Sequence, residues 1–295
     1  SGYKMACLFP VGCNKTDGTL AFRPCGQCHS CRIEKSREWA IRCVHESTMH
    51  EENRFITLTF RNEDLPLDGS IKKEHMQNFM RKLRRKYDHP IRFFGCGEYG
   101  DQKNTFRPHY HICLFGHSFP DEELLHHDGK TKNKPIWQKG HDHSLNTSKE
   151  LEKLWPYGYS TIGKVTFESA AYVARYVTKK LLGSSPEALK LKEERYGEKQ
   201  MEFALMSRMP GIGHSWFQKY HNDLYPKDFI MHNGRRIKPP RYYDSMYQKL
   251  KPEEFEKIKE KRIENNPQEI EITSENWSRE KYRRHINKSF PRKGL

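Results

Sequence analysis

Two apolar runs, Ile91–Cys96 and Tyr110–Phe115, constrain the fold more than any other feature, because so little chain lies between them. Parallel strands need a long crossover, usually helical, so this close spacing favours antiparallel pairing. A third run, Phe55-Ile56-Thr57-Leu58-Thr59-Phe60, is rich in aromatic and β-branched residues and predicts a strand. After a turn at 64–69, Met76, Phe79, Met80, Leu83 and Tyr87 step by three and four, the stripe of an amphipathic helix. Tyr159–Val165 predicts a fourth strand, and Glu168–Leu181 a helix with Ala170, Val173, Val177 and Leu181 on its apolar side. The order strand, helix, strand, strand, strand, helix gives an α+β fold, an antiparallel sheet with flanking helices.

Around this core, helices are predicted over Lys35–His50 and Glu253–Asn265, residues 117–153 read as a polar excursion, and the chain ends in a basic tail. The expected organisation is a Cys-rich N-terminal segment (1–34), a core (35–183) and a basic, partly helical C-terminal region (184–295) that can extend the nucleic-acid surface. No apolar run approaches the roughly 20 residues of a membrane span, and no secretory apolar region opens the given sequence.

Charge narrows the partner. Lys and Arg number 53 against 38 Asp and Glu, a net charge of +15. With 12% aromatic residues the chain is no disordered polyelectrolyte. A polyanion, above all nucleic acid, is the expected partner. Arg84 and Arg85 on the predicted amphipathic helix, and Lys180 and Arg241 further on, are the basic candidates; Arg241-Tyr242-Tyr243 interleaves a cation with aromatics, as suits unpaired bases beside a phosphate backbone. A solvated helix face and packed tyrosines are the plainer readings of the same residues.

The strand at 110–115 is preceded by His109 and carries His111. Residues i and i+2 of a strand face the same way, so the two imidazoles stand together while Tyr110, Ile112 and Leu114 face the core. If the two neighbouring runs pair through 99–108, Glu98 comes close to His109. Two imidazoles and a carboxylate form a site for a divalent ion with open positions. Tyr172 and Tyr176, four apart on the predicted helix, share a face beside Lys179 and Lys180. A phenol with a pKa near 10 needs help to attack at neutral pH, and a cation beside it supplies that help. Together these residues suit phosphoryl transfer to tyrosine, which conserves the phosphodiester bond energy for resealing.

Six of the eight Cys lie in the first 43 residues, and Cys25, Cys28 and Cys31 follow a double C-x-x-C rhythm. Tetrahedral Zn²⁺ takes four soft ligands at such spacings. Cys7, Cys13 and His29 are candidates for the fourth; reduced thiols and an iron–sulfur cluster are the other readings. Cys43, Cys96 and Cys113 read as packing residues.

Taken together, Phe55–Phe60, Arg107–Phe115 and Ala171–Lys180 resemble the three motifs of HUH endonucleases of the rolling-circle replication initiator class, in their two-tyrosine form. The segments Pro24–Arg32, Ser36–Ala40, Gly97–Gly100, Met209–Gly213 and Pro239–Tyr243 are similar to the initiators of gokushovirus-like microviruses, single-stranded DNA bacteriophages, and the resemblance spans roughly 5–245. It implies a metal-dependent nickase that cuts the origin strand, stays linked to the 5′ phosphate, leaves a 3′ hydroxyl for DNA synthesis, and later cuts and religates a unit-length circle. It implies His109, His111 and Glu98 as ligands of Mg²⁺ or Mn²⁺, Tyr172 and Tyr176 as nucleophiles, Lys179 as their electrostatic assistant, and Cys7 rather than Cys13 as the fourth zinc ligand. Tyr176-Val177-Thr178-Lys179 matches the Y-x-x-K pattern of single-tyrosine relatives, which favours Tyr176 for the first cut. The implied partners are origin and single-stranded DNA with the host helicase and polymerase, in the cytoplasm of the infected bacterium. No nucleotide cofactor is expected, since no G-x-x-x-x-G-K-[ST] loop is present. A non-catalytic zinc-containing nucleic-acid binder, a transposase or plasmid-type nuclease of the same core, and a water-using metal hydrolase are the alternatives.

Overall fold

The computed structural model describes residues 7, 9–14, 18, 20–26, 28–100, 106–125, 145–179, 186–225 and 227–265. The chain divides into two compact units, one of Ala40–Gly213 and one of Ser1–Trp39 with His214–Lys293.

In chain order the described elements are β1 (Val11–Asn14), β2 (Leu20–Arg23), α1 (His29–Ser47), β3 (Asn53–Thr59), α2 (Lys73–Lys86), β4 (Arg92–Tyr99), β5 (Pro108–Phe115), β6 (Glu123–Leu124), β7 (Asn146–Thr147), α3 (Lys149–Leu154), β8 (Ser160–Gly163), α4 (Phe167–Lys179), α5 (Pro186–Tyr196), β9 (Phe203–Met206), α6 (His214–Leu224), β10 (Ile230–His232), β11 (Arg235–Ile237), α7 (Arg241–Leu250) and α8 (Pro252–Glu264).

The Ala40–Gly213 unit is built on an antiparallel seven-stranded sheet in the order β6-β7-β8-β3-β5-β4-β9. Its centre explains its sequence. β4 is buried from Phe93 onward, so Phe93-Phe94-Gly95-Cys96 runs apolar without alternation. β5 is almost as deeply buried, with Tyr110, Ile112 and Leu114 pointing into the main core beside Met76, Phe79, Met80 and Leu83 of α2 and Leu151 and Leu154 of α3. Gly97 is required there: a Cβ would come within 2.8 Å of the Phe203 ring and 3.1 Å of Tyr110. On the opposite face α4 packs against β4, β5 and β9.

The second unit holds the β1–β2 hairpin, the β10–β11 hairpin and α6 to α8. Its interior is aromatic: Tyr225 stacks on Tyr247 with ring centres 4.0 Å apart, and Tyr243 lies against Trp216 and Phe217. Arg262 reaches in from α8 and binds both Asp228 and Asp244 in two-pronged fashion.

Several expectations are corrected. α1 begins at His29 rather than Lys35 and ends at Ser47; in its first turn the Cys31 N–H is taken by the Cys28 sulfur. The first predicted strand shifts to Asn53–Thr59, with Phe60 packing in the core beyond its end. The fourth shortens to Ser160–Gly163. The excursion at 117–153 carries β6, β7 and α3; Ser148 caps α3 by accepting the Leu151 N–H at 3.0 Å. The sheet continues past residue 183, since β9 pairs with β4 along its edge. Leu181 and the basic tail lie outside the described residues. Among the described residues no helix is long and apolar enough to cross a membrane.

Candidate active site

The register of the sheet assembles the site. β4 pairs with β5 so that Glu98 stands opposite His109 and Cys96 opposite His111. β3 pairs on the other side, placing Thr57 opposite His111 and Thr59 opposite His109. Strand alternation then turns Glu98, His109 and His111 to the α4 face, away from the main core.

One oxygen is the focus. Glu98 Oε1 lies 2.8 Å from His109 Nε2 and 2.9 Å from His111 Nε2, and it accepts a hydrogen bond from the Tyr172 hydroxyl. The far nitrogens of both rings are also held. His109 Nδ1 donates to the Arg107 carbonyl at 3.1 Å, and His111 Nδ1 lies 2.9 Å from Thr57 Oγ1. A carbonyl can only accept, so this bond keeps a proton on Nδ1, and the hydrogen bond to Glu98 takes a second proton on Nε2, the imidazolium form. Phe55 stacks on His111 with ring centres 5.6 Å apart and planes 6° from parallel.

The electrostatics follow from burial and neighbours. Burial alone would raise the Glu98 carboxyl, but hydrogen bonds from His109 and His111 win and hold it well below the usual carboxylate range. Burial pushes the imidazolium of His109 down, yet the Glu98 hydrogen bond and charge outweigh it and its pKa ends raised. Deeper burial prevails at His111, whose pKa is lowered. Burial and then the Glu98 charge push the Tyr172 phenol well above its ordinary value.

α4 brings the tyrosines. Thr166 and Ser169 exchange side-chain to backbone hydrogen bonds of 3.1 and 2.8 Å at its start, which fixes where the helix begins. Tyr172 lands edge-on to His111, 5.1 Å between ring centres, and Tyr176 follows one turn later with its ring 5.9 Å from that of Tyr172. Tyr176 is buried, so the tyrosine face belongs to the packed side of α4 as much as the predicted apolar stripe does. The Tyr172 hydroxyl reaches the cluster. Lys179 ends α4 with its side chain outside what is described, and Lys180 is outside the described residues altogether. The cation against Tyr172 is Arg175, 5.1 Å from the ring centre. In the sequence Arg175, three residues after Tyr172, reads only as a poorer match to Y-x-x-K, and Thr57 has no role of its own; nothing local marks the second.

Arg84 and Arg85 separate from this cluster. α2 packs on the opposite face of the sheet, so Arg84 and Arg85 do not share a face with Glu98. Arg84 donates twice to the Ile91 carbonyl, at 2.7 and 3.0 Å, and both arginines are exposed. Arg241, at the start of α7, is exposed and 3.4 Å from Glu38. Tyr243 is fully buried, which removes it from any stacking surface.

Two imidazole nitrogens and a carboxylate oxygen, mutually within 4.8 Å, are a donor set that fits a divalent ion. A second group, the sulfurs of Cys7, Cys25, Cys28 and Cys31, meets the same distance limit.

The family model for replication-associated protein ORF2/G2P matches residues 53–181, which contain Thr57, Glu98, both histidines and both tyrosines. The replication-associated protein VP4 of Bdellovibrio phage phiMH2K is 32% identical over 250 residues, covering 82% of this chain and 72% of that protein. The replication-associated protein ORF2 of Spiroplasma virus 4 is 32% identical over 254 residues, covering 81% and 72%. The replication-associated protein ORF4 of Chlamydia phage 1 is 31% identical over 240 residues, covering 79% of this chain and 55% of its own length. No solved structure matches the chain significantly.

Proposed function

The chain belongs to the family of phage replication-associated proteins, and from that premise we propose that it initiates rolling-circle replication by cutting the origin strand through a tyrosine. The observation that carries the reading is the convergence of His109 Nε2, His111 Nε2 and the Tyr172 hydroxyl on Glu98 Oε1. A nucleophile, a divalent-ion donor set and a basic chain together suit transesterification of a phosphodiester.

Glu98, His109 and His111 would hold Mg²⁺ or Mn²⁺. When bound, the ion supplies positive charge that polarises the scissile phosphate and eases departure of the leaving oxygen. The remaining work falls to the protein. Thr57 and the Arg107 carbonyl orient the imidazoles. Arg175 holds a positive charge against the Tyr172 ring, where it favours the phenolate. Attack forms a Tyr172 Oη–P bond and breaks the P–O3′ bond, so the 5′ phosphate stays on the protein and the 3′ oxygen leaves as a hydroxyl. Tyr176, one helical turn away, serves as the second acceptor, which permits cutting and religation of the displaced circle. Lys179, as the family resemblance implies, assists electrostatically. Arg241, Arg85 and Lys180 are the proposed DNA contacts, with Arg84 in a supporting structural role. Helicase and polymerase would come from the bacterial host, in whose cytoplasm the reaction takes place.

The test is adduct formation. The protein is mixed with a labelled single-stranded oligonucleotide carrying the phage origin, with Mn²⁺ or Mg²⁺ and with a chelator control, and run on a denaturing gel. A metal-dependent covalent protein–DNA band that disappears in the Tyr172→Phe/Tyr176→Phe variant supports the reading. Cleavage without an adduct would point to a water-using hydrolase, and binding without cleavage to a non-catalytic DNA binder.

A further inference from the structure

The four sulfurs of Cys7, Cys25, Cys28 and Cys31 do not take part in the proposed cleavage, yet they form a compact cluster. Cys25 Sγ is 4.0 Å from Cys31 Sγ, Cys28 Sγ is 4.0 Å from Cys7 Sγ, and all four lie within 4.8 Å of one another. Zn–S bonds of about 2.3 Å in a tetrahedron put the sulfurs about 3.8 Å apart, so a shift of well under an ångström per sulfur closes the cluster on an ion. A disulfide would need about 2.05 Å, and none joins the described cysteines.

The backbone is arranged for thiolates. The N–H of Cys25 donates to Cys7 Sγ at 3.3 Å, that of Cys28 to Cys25 Sγ at 3.3 Å, and that of Cys31 to Cys28 Sγ at 3.4 Å. Such donors stabilise negative charge on sulfur and fix its direction, as outer contacts do in metal sites. Gly26, at φ +73, makes the turn between the first two ligands of the C-x-x-C pair. Cys31 sits in the first turn of α1, and β1 and β2 lie between Cys7 and Cys25. His29 is not among the four, and the side chain of Cys13 lies outside what is described.

We infer that Cys7, Cys25, Cys28 and Cys31 bind one structural Zn²⁺ that ties Cys7 and the β1–β2 hairpin to the first turn of α1. Four protein thiolates leave no open coordination position, so the site is closed to substrate and its role is to hold structure. The hairpin has only two short strands, and a pair of that kind is marginal in water without further support.

The test uses the full chain, purified from zinc-supplemented cells without a histidine tag and desalted after brief EDTA treatment. Metal analysis by mass spectrometry is expected to find about one zinc per chain in the wild type and in Glu98→Gln, which separates this site from the histidine cluster. The Cys25→Ser/Cys28→Ser variant is expected to lose it. Since that variant can also misfold, the wild type is titrated with p-hydroxymercuribenzoate, and zinc should be released in step with modification of four thiols. Cobalt-grown protein should show the visible bands and thiolate-to-metal charge transfer of a tetrahedral four-sulfur site. Wild-type protein without zinc, zinc retained in the double Cys variant, zinc release out of step with thiol modification, or iron with labile sulfide in place of zinc would each overturn the assignment.

Discussion

Glu98 and His109 are directly opposed in the β4–β5 ladder, with Glu98 Oε1 2.8 Å from His109 Nε2. The relationship is a product of register: the carboxylate and the imidazole meet because two antiparallel strands are paired at that residue, and a slip by one would turn the histidines to the opposite face. The same oxygen receives Tyr172 from α4, so three elements with different sequence patterns share one atom.

Tyr172 and Tyr176 should differ in a cleavage assay. Tyr172→Phe removes the hydroxyl at Glu98 and is expected to lower first-strand adduct formation by at least 10²-fold, about 2.7 kcal/mol of transition-state stabilisation. Tyr176→Phe should still form the first adduct and fail in strand joining. Denaturing gels with a nicked and an intact oligonucleotide separate the two steps. Equal loss in both variants, or loss of first cleavage in Tyr176→Phe alone, would count against the assigned order.

Thr57 orients rather than reacts. Its hydroxyl lies 2.9 Å from His111 Nδ1, so Thr57→Val keeps the shape and deletes the partner. Losses of roughly 10- to 100-fold in metal affinity are typical for such partners. The Mn²⁺ concentration giving half-maximal adduct should rise by that factor, while the rate at saturating Mn²⁺ stays near wild type and Thr57→Ser restores the affinity. An unchanged metal dependence would remove Thr57 from the site.

These residues also mark how far the sequence could be read. His109 and His111 were legible because strand alternation is local, and Glu98 because the connection to the next strand is short. The α+β assignment followed from the same spacing. Thr57 was hidden because its role depends on a pairing between residues 54 apart in the chain. β9 was hidden because Phe203-Ala204-Leu205-Met206 is a short run whose place is decided by β4 and by the space above Gly97. At the early start of α1 the Cys31 N–H is taken by the Cys28 sulfur. Tyr243 was open to stacking or to packing in the sequence, and it packs: its ring is enclosed by Trp216 and Phe217, which lie earlier in the chain.

Arg262 should matter to the unit that contains it. Its side chain is 16% exposed and binds Asp228 and Asp244 at 2.5 to 2.9 Å, with Tyr225 also donating to Asp244. Arg262→Ala leaves two enclosed carboxylates facing each other. Breaking one side of such a pair costs about 3–5 kcal/mol. Hydrogen exchange of α7 and α8 should accelerate sharply while that of β4 and β5 changes little. Arg262→Lys should recover only part, because an ammonium cannot bind both carboxylates in two-pronged fashion.

His117 gives a pH dependence whose sign can be worked out. It is buried, its Nδ1 is 3.2 Å from His89 Nε2, Tyr87 packs edge-on to it, and its Nε2 has no hydrogen-bond partner among the described residues. Protonation would leave an N–H buried without an acceptor. Burial first, and then the nearby His89, lower its pKa from 6.5 to about 4, with Arg54 acting in the same direction and Glu122 against it. Between those values the unfolded chain binds the proton and the folded one does not, so stability rises with pH across the interval. The contribution is complete above about pH 6.5 and is lost as pH falls toward about 4. Urea midpoints measured from pH 7.5 to 4.5 should therefore drop more steeply for the wild type than for His117→Gln, which carries no titrating group. Parallel curves for the two proteins would show that His117 does not contribute to the acid sensitivity.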